Sequence, residues 1–209
     1  MKKLVIYIHG KGGKADDAER YRRTFLDSEV IGFDYKAQTP WAAKEEFRAF
    51  LDSYSDKYGS IVICADSIGA YFSMVSLFDK PIERAYFISP IVDMEKLIYN
   101  MMKSAGVTEE ELKERGVIGT EFGEDLSWKY LSYVKEHKIK WDIPTKILYG
   151  ENDVLTDFET VRGFAETHNA TLTVMPGGEH WFHTEEQMRF LDSWLLKSIR
   201  NYGEQGFNI

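Results

Sequence analysis

The sequence predicts an α/β fold, a six-stranded parallel sheet with helices on both faces. Short runs rich in β-branched and aromatic residues alternate with helix-period patterns from end to end. The 209 residues suffice for one such domain with a sizeable core, and fall short of two comfortable ones. Apolar (44%) and aromatic (14%) shares are those of a packed globule and exclude a disordered chain.

Taken in order, Lys3–Ile8 reads as the first strand. The flanking Met1-Lys2 superficially suggests an export signal, but the apolar run ends at His9-Gly10-Lys11 and no small-residue cleavage site follows. An amphipathic helix marked by Ala18, Tyr21 and Phe25 comes next, then a strand over Val30–Asp34. A second helix carries Ala43, Phe47, Phe50, Leu51 and Tyr54 on one face. Further strands are read over Ser60–Cys64, Arg84–Ile88, Lys146–Tyr149 and Thr171–Met175. The last helix opens with a capping box, Thr184-x-x-Gln187, and aligns Met188, Leu191, Leu195 and Ile199.

One interval breaks the alternation. Residues 92–140 show helical patterns around Met94–Ser104, Thr108–Arg115 and Asp125–Lys138 and no strand, with a capping box at Thr108-x-x-Glu111 and Asp125 as an N-cap. That is far more chain than a crossover requires. It is expected to form a helical cap over one edge of the sheet, leaving 1–91 and 141–209 as the core domain.

Charge narrows the partners. Asp and Glu number 34 against 26 Lys and Arg, a net charge of −8 without any basic run, which argues against nucleic acid and anionic membranes. No apolar segment is long enough to span a bilayer. The lone cysteine, Cys64, excludes an internal disulfide and a cysteine-based metal site, and fits a reducing cytoplasm.

The chemistry centres on Ile61-Val62-Ile63-Cys64-Ala65-Asp66-Ser67-Ile68-Gly69-Ala70, a buried strand running into a small-x-Ser-x-Gly corner and a helix. Such a corner forces Ser67 into an unfavourable backbone conformation and exposes its hydroxyl beyond the sheet. In a parallel sheet the loops leaving the carboxyl ends of the strands gather at one rim. There the first strand delivers His9-Gly10-Lys11-Gly12-Gly13, the third Ser67, the fifth Gly150-Glu151-Asn152-Asp153 and the sixth Gly177-Gly178-Glu179-His180. A nucleophile, a carboxylate and an imidazole thus emerge in the order Ser67, Asp153, His180.

On these residues the chain resembles the α/β-hydrolase family over essentially its whole length. The acid loop and the cap's position look most like the small esterase, lysophospholipase-like and serine-aminopeptidase-like members. Ala65, where the first glycine of G-x-S-x-G usually stands, is the main departure. The resemblance implies a minimal six-stranded version of that fold, a serine hydrolase that needs no cofactor and no metal, and a small-molecule ester as substrate. It also assigns the oxyanion-binding donors to the backbone N–H groups of Lys11 and Ile68.

Other readings compete at each position. His183 rivals His180 as base but stands at the brink of the last helix, and Asp157 rivals Asp153 but falls where an acidic residue complements a helix dipole. His137 and His168 read as helix ends, His9 as turn packing, Cys64 as an inert buried thiol, and Asp66 as a group that tunes the site or is merely structural. The aromatic and aliphatic residues of 92–140, with Trp181 and Phe182, are expected to pack helices for the most part and in part to line an acyl site. Gly10-x-Gly12-x-x-Ala15 with Asp34 also fits a dinucleotide fingerprint. That reading leaves Ser67, Asp153 and His180 unexplained. A non-catalytic binder on the same scaffold is the remaining alternative.

Overall fold

The computed structural model describes residues 2–205. The chain runs through β1 (Lys3–Ile8), a 3₁₀ helix (Ala15–Arg23), β2 (Ser28–Gly32), α1 (Pro40–Ser55), β3 (Ser60–Asp66), α2 (Ser67–Leu77) and β4 (Arg84–Ile88). It continues through α3 (Met94–Ala105), α4 (Glu109–Arg115), β5 (Val117–Gly119), β6 (Asp125–Ser127), α5 (Trp128–Glu136), β7 (Thr145–Gly150), α6 (Phe158–Thr167), β8 (Ala170–Met175) and α7 (Glu185–Gln205). It divides into two compact units, 1–92 with 140–209, and 93–139.

In the larger unit, six strands form one sheet in the order β2-β1-β3-β4-β7-β8, every pair parallel. The chain goes outward from β1 to β2 and then returns to the other side of β1 with β3. Strand order therefore reverses between β1 and β3, where Ile8 pairs with Ala65. In open α/β sheets this switch point is where a crevice forms beyond the strand ends.

Alternation divides the sheet residues between two cores. Val5, Tyr7, Val62, Cys64, Tyr86, Ile88 and Leu148 face one side, where Ala18 and Tyr21 of the 3₁₀ helix, Phe25 just after it, and Leu191, Trp194 and Leu195 of α7 cover them. Ala18 and Tyr21 stand three residues apart, the period of a 3₁₀ turn, so they share a face of the helix observed. On the opposite side α2 packs on β3 and β4, α1 on α2, and α6 on β7 and β8. Thr39 caps α1 by accepting the Ala42 N–H, and Pro40 occupies its first turn.

The smaller unit is an α3–α5 pair with α4 and a hairpin, its core built from Met94, Ile98, Met102, Leu112, Ile118, Leu126, Leu131 and Val134. Residues 117–119 and 125–127 pair as antiparallel β5 and β6, where only helix was expected. Strands of three residues are too short to show a period. Asp125 lies in β6, opposite Gly119, and the cap of α5 is Ser127, whose hydroxyl accepts the Tyr130 N–H. Thr108 caps α4 by accepting the Glu111 N–H, one half of the capping box its motif predicts, while the Glu111 carboxylate bonds Arg115. No helix among the described residues is long and apolar enough to cross a membrane.

Candidate active site

Ser67 follows β3 directly and opens α2 with φ = +50°, a left-handed backbone rarely held by a non-glycine residue. The sharp corner needs close backbone approach. A Cβ on Gly69 would stand 2.5 Å from the His9 carbonyl oxygen and 2.7 Å from that of Ile8, so only glycine lets α2 start against the end of β1. The methyl of Ala65 is accommodated within β3, fully buried between its partners Ile8 and Phe87. From the other side the segment after β4 supports the corner. Ser89 also has a positive φ, +44°, and two residues later the Ile91 N–H donates to the Ser67 carbonyl at 3.2 Å.

The Ser67 hydroxyl lies 2.8 Å from His180 Nε2. The other ring nitrogen, Nδ1, is 2.7 Å from Asp153 Oδ2, with the Asp153 side chain wholly enclosed. Asp153 is itself fixed, because Oδ1 accepts the N–H groups of Leu155 and Thr156 at 2.8 and 3.1 Å. The carboxylate cannot rotate away from the imidazole without releasing both. The structure thus brings together three side chains that are separated by 86 and 27 positions in the chain.

The loops that carry the acid and the imidazole are bonded main chain to main chain. Asn152 N–H donates to the Gly178 carbonyl at 2.7 Å, Glu151 N–H to that of Met175 at 3.0 Å, and the Glu151 carboxylate accepts the Gly177 N–H at 2.8 Å. Beside Ser67, the Gly10–Gly13 turn closes with a 3.1 Å bond from Gly13 N–H to the Gly10 carbonyl. A Cβ on Gly10 would lie 3.1 Å from that of Ser67. The turn that contains Lys11 therefore abuts the serine, and Ile68 stands in the first turn of α2, whose N–H groups have no acceptor within the helix.

The competing residues are placed elsewhere. His183 bonds the Trp181 carbonyl through Nδ1 and stacks on the Trp181 ring. Asp157 caps α6 through the Thr160 N–H. His137 and His168 end α5 and α6, each bonded to the carbonyl four residues back. His9 stacks on Tyr35, whose hydroxyl donates to the His9 carbonyl. Cys64 is enclosed, and burial pushes its thiol well above the usual range. Phe182 belongs to the core under α7, whereas Trp181 is 75% exposed. Tyr7 escaped the sequence reading: its hydroxyl donates to Asp66 at 2.6 Å, a contact set by β1–β3 register that no local pattern reveals.

No protein-family model matches the sequence, and no curated protein matches it. Solved structures do. The chain superposes on Est1E from Butyrivibrio proteoclasticus with a TM-score of 0.76 at 17% identity, covering 96% of this chain and 88% of that one. It superposes on α/β hydrolase domain-containing protein 10 from mouse with a TM-score of 0.75 at 15% identity, covering 95% and 90%. The chain has the α/β-hydrolase fold. A third α/β-hydrolase, XC6422 from Xanthomonas campestris, described as a serine hydrolase without a lid, gives a TM-score of 0.66 at 15% identity over 96% and 82%. The Gly10–Gly13 turn is the loop that follows β1.

Proposed function

We propose that the protein is a serine hydrolase that cleaves small to medium carboxylic esters through an acyl-serine intermediate. The observation that supports this best is the continuous hydrogen-bond chain Ser67 Oγ to His180 Nε2, His180 Nδ1 to Asp153 Oδ2. A serine hydroxyl is barely nucleophilic at neutral pH, so His180 takes its proton as the oxygen attacks and returns it to the leaving alcohol. Asp153 holds the ring in the tautomer with a free Nε2 lone pair and stabilises the imidazolium. The tetrahedral oxyanion is received by the Ile68 and Lys11 N–H groups, where one such donor is typically worth about 3 kcal/mol of barrier. Water then repeats the sequence on the acyl-enzyme. The 92–140 insertion is proposed as the cap that selects among acyl groups.

Hydrolysis of p-nitrophenyl acetate and butyrate, with Ser67→Ala as control, tests this directly. A fluorophosphonate probe is expected to label wild-type protein at Ser67 and to leave the variant unlabelled. Failure to label the folded wild type would overturn the reading in favour of a non-catalytic binder. Should efficiency rise steadily toward long acyl chains, or thioesters or aminoacyl substrates outrun oxygen esters, the substrate class passes to lysophospholipids, thioesters or peptides on the same three residues.

A further inference from the structure

Asp66 is a carboxylate that the proposed chemistry leaves unused. It ends β3 immediately before Ser67, and its Oδ2 accepts the Tyr7 hydroxyl at 2.6 Å while Oδ1 is shut off from solvent with no hydrogen-bond partner. It stands at the N-cap of α2 with extended backbone, yet makes no side-chain cap bond. An enclosed carboxylate with one oxygen unbonded is costly, and an apolar residue or an amide would serve packing better.

The groups that face it come from every neighbouring element: Tyr7 on β1, Cys64 on β3, Asp17, Arg20 and Tyr21 on the 3₁₀ helix, Tyr35 after β2, and His180 after β8. Arg20 directs its guanidinium to α7 instead, bonding Asp192 at 2.7 Å and the Met188 carbonyl at 3.0 Å. Burial pushes the Asp66 carboxyl up to about 6; the Tyr7 bond, Arg20 and His180 pull it down, and Asp17 pushes it up. Burial also holds the Tyr7 phenol far above its usual range, so it remains a donor throughout.

Resting on the serine-hydrolase reading, we propose that Asp66 is a positioning residue: anchored by Tyr7, it holds a negative charge behind Ser67 and favours the imidazolium that forms when His180 takes the serine proton. Asp66 neither gains nor loses a proton during turnover. The proton passes from Ser67 Oγ to His180 Nε2 and on to the leaving group. As pH falls through about 6 the charge is lost. The acid limb of wild-type kcat/KM therefore includes the loss of the Asp66 charge.

The test is the pH profile of kcat and KM on a soluble ester for wild type, Asp66→Asn and Tyr7→Phe. Asp66→Asn keeps an acceptor for Tyr7 and removes the charge. It is expected to lower plateau kcat about tenfold with little change in KM, and to reduce the acid limb to a single ionisation. Tyr7→Phe removes the bond that pulls the carboxyl down, so its acid limb is expected to move to higher pH. Loss of kcat by Asp66→Asn that is uniform across pH with an unchanged limb, or a profile superimposable on wild type, overturns the proposal.

A melting comparison separates this from the reading it rests on, because it involves no turnover. The folded-state value of Asp66 is raised, so its contribution to stability is present below the unfolded carboxyl value and lost as pH rises through about 6. Asp66→Asn is expected to melt several degrees above wild type at pH 8 and to lose that advantage at pH 4. Equal melting at pH 8 removes the enclosed charge and the proposal with it. Wild type that neither hydrolyses esters nor takes the fluorophosphonate overturns the hydrolase reading, whatever the melting shows.

Discussion

Gly150 and Glu179 meet backbone to backbone: a Cβ on Gly150 would stand 2.5 Å from the Glu179 carbonyl oxygen and 2.7 Å from that of Gly178. This contact lets the loop carrying Asp153 lie against the loop carrying His180. Backbone on both sides leaves no flexible side chain to give way, so Gly150→Ala is expected to force the two loops apart. Overpacking of this kind costs typically about 1–3 kcal/mol, and here the displacement falls on the Asp153–His180 bond. Ester hydrolysis should drop by far more than the loss of Tm alone accounts for. Wild-type kcat in a destabilised Gly150→Ala protein would contradict this.

Asp153→Asn tests the role of the carboxylate with little change in shape. The amide can still accept the Leu155 and Thr156 N–H groups through one oxygen, but it then turns its NH₂ toward His180. An NH₂ facing Nδ1 favours the tautomer that carries hydrogen on Nε2, and such a ring cannot accept the Ser67 proton. A loss of about 10³–10⁴ in kcat with near-normal Tm is expected. Rate measurements beside a thermal melt decide it, and a loss below about tenfold would argue that Asp153 does not orient the imidazole.

Much of this was legible in the sequence because burial leaves a compositional trace. The strands at Lys3–Ile8 and Arg84–Ile88 match their expected limits, since buried parallel strands read as apolar runs bounded by polar turns. β2 runs over Ser28–Gly32, beginning and ending earlier than the Val30–Asp34 read from the sequence, and its last residue lies under the Ala15 carbonyl with no room for a side chain. Residue types at strand ends pointed to Ser67, Asp153 and His180, which the sheet brings within hydrogen-bond distance. What sequence could not carry were relationships across the sheet, such as Tyr7 with Asp66 or Gly150 with Glu179, which depend on register and loop packing. The Thr184 capping box was half right: its hydroxyl accepts the Gln187 N–H, but the Gln187 side chain bonds His183 N–H and Glu179 instead of closing the box.

A buried polar chain supports the start of β7. Trp141 is fully enclosed, and its indole N–H donates to the Thr145 hydroxyl at 2.8 Å, which donates in turn to the Ile143 carbonyl at 2.7 Å. Thr145→Val conserves volume but strands both the indole N–H and the carbonyl. The expected destabilisation is about 1–3 kcal/mol for an unsatisfied buried group, read from the urea midpoint at unchanged m-value. Thr145→Ser restores the hydroxyl and should recover most of the loss, whereas equal loss in both variants would point to the methyl group and not to the hydrogen bonds.

Ser67 carries the backbone strain of the corner, and two inactive variants measure it. At φ = +50° a residue with a Cβ is strained where glycine is not. Ser67→Ala and Ser67→Gly both remove the hydroxyl and its bond to His180, so their difference isolates the Cβ. Glycine also has the more disordered unfolded chain, which works against it, yet where φ is positive the folded-state term dominates. Ser67→Gly is therefore expected to be more stable than Ser67→Ala by about 1 kcal/mol, with neither variant hydrolysing esters. If Ser67→Ala proves the more stable, the corner relaxes when the hydroxyl is lost, and the left-handed conformation is held by the Ser67–His180 bond and not by the packing of Gly69 against His9.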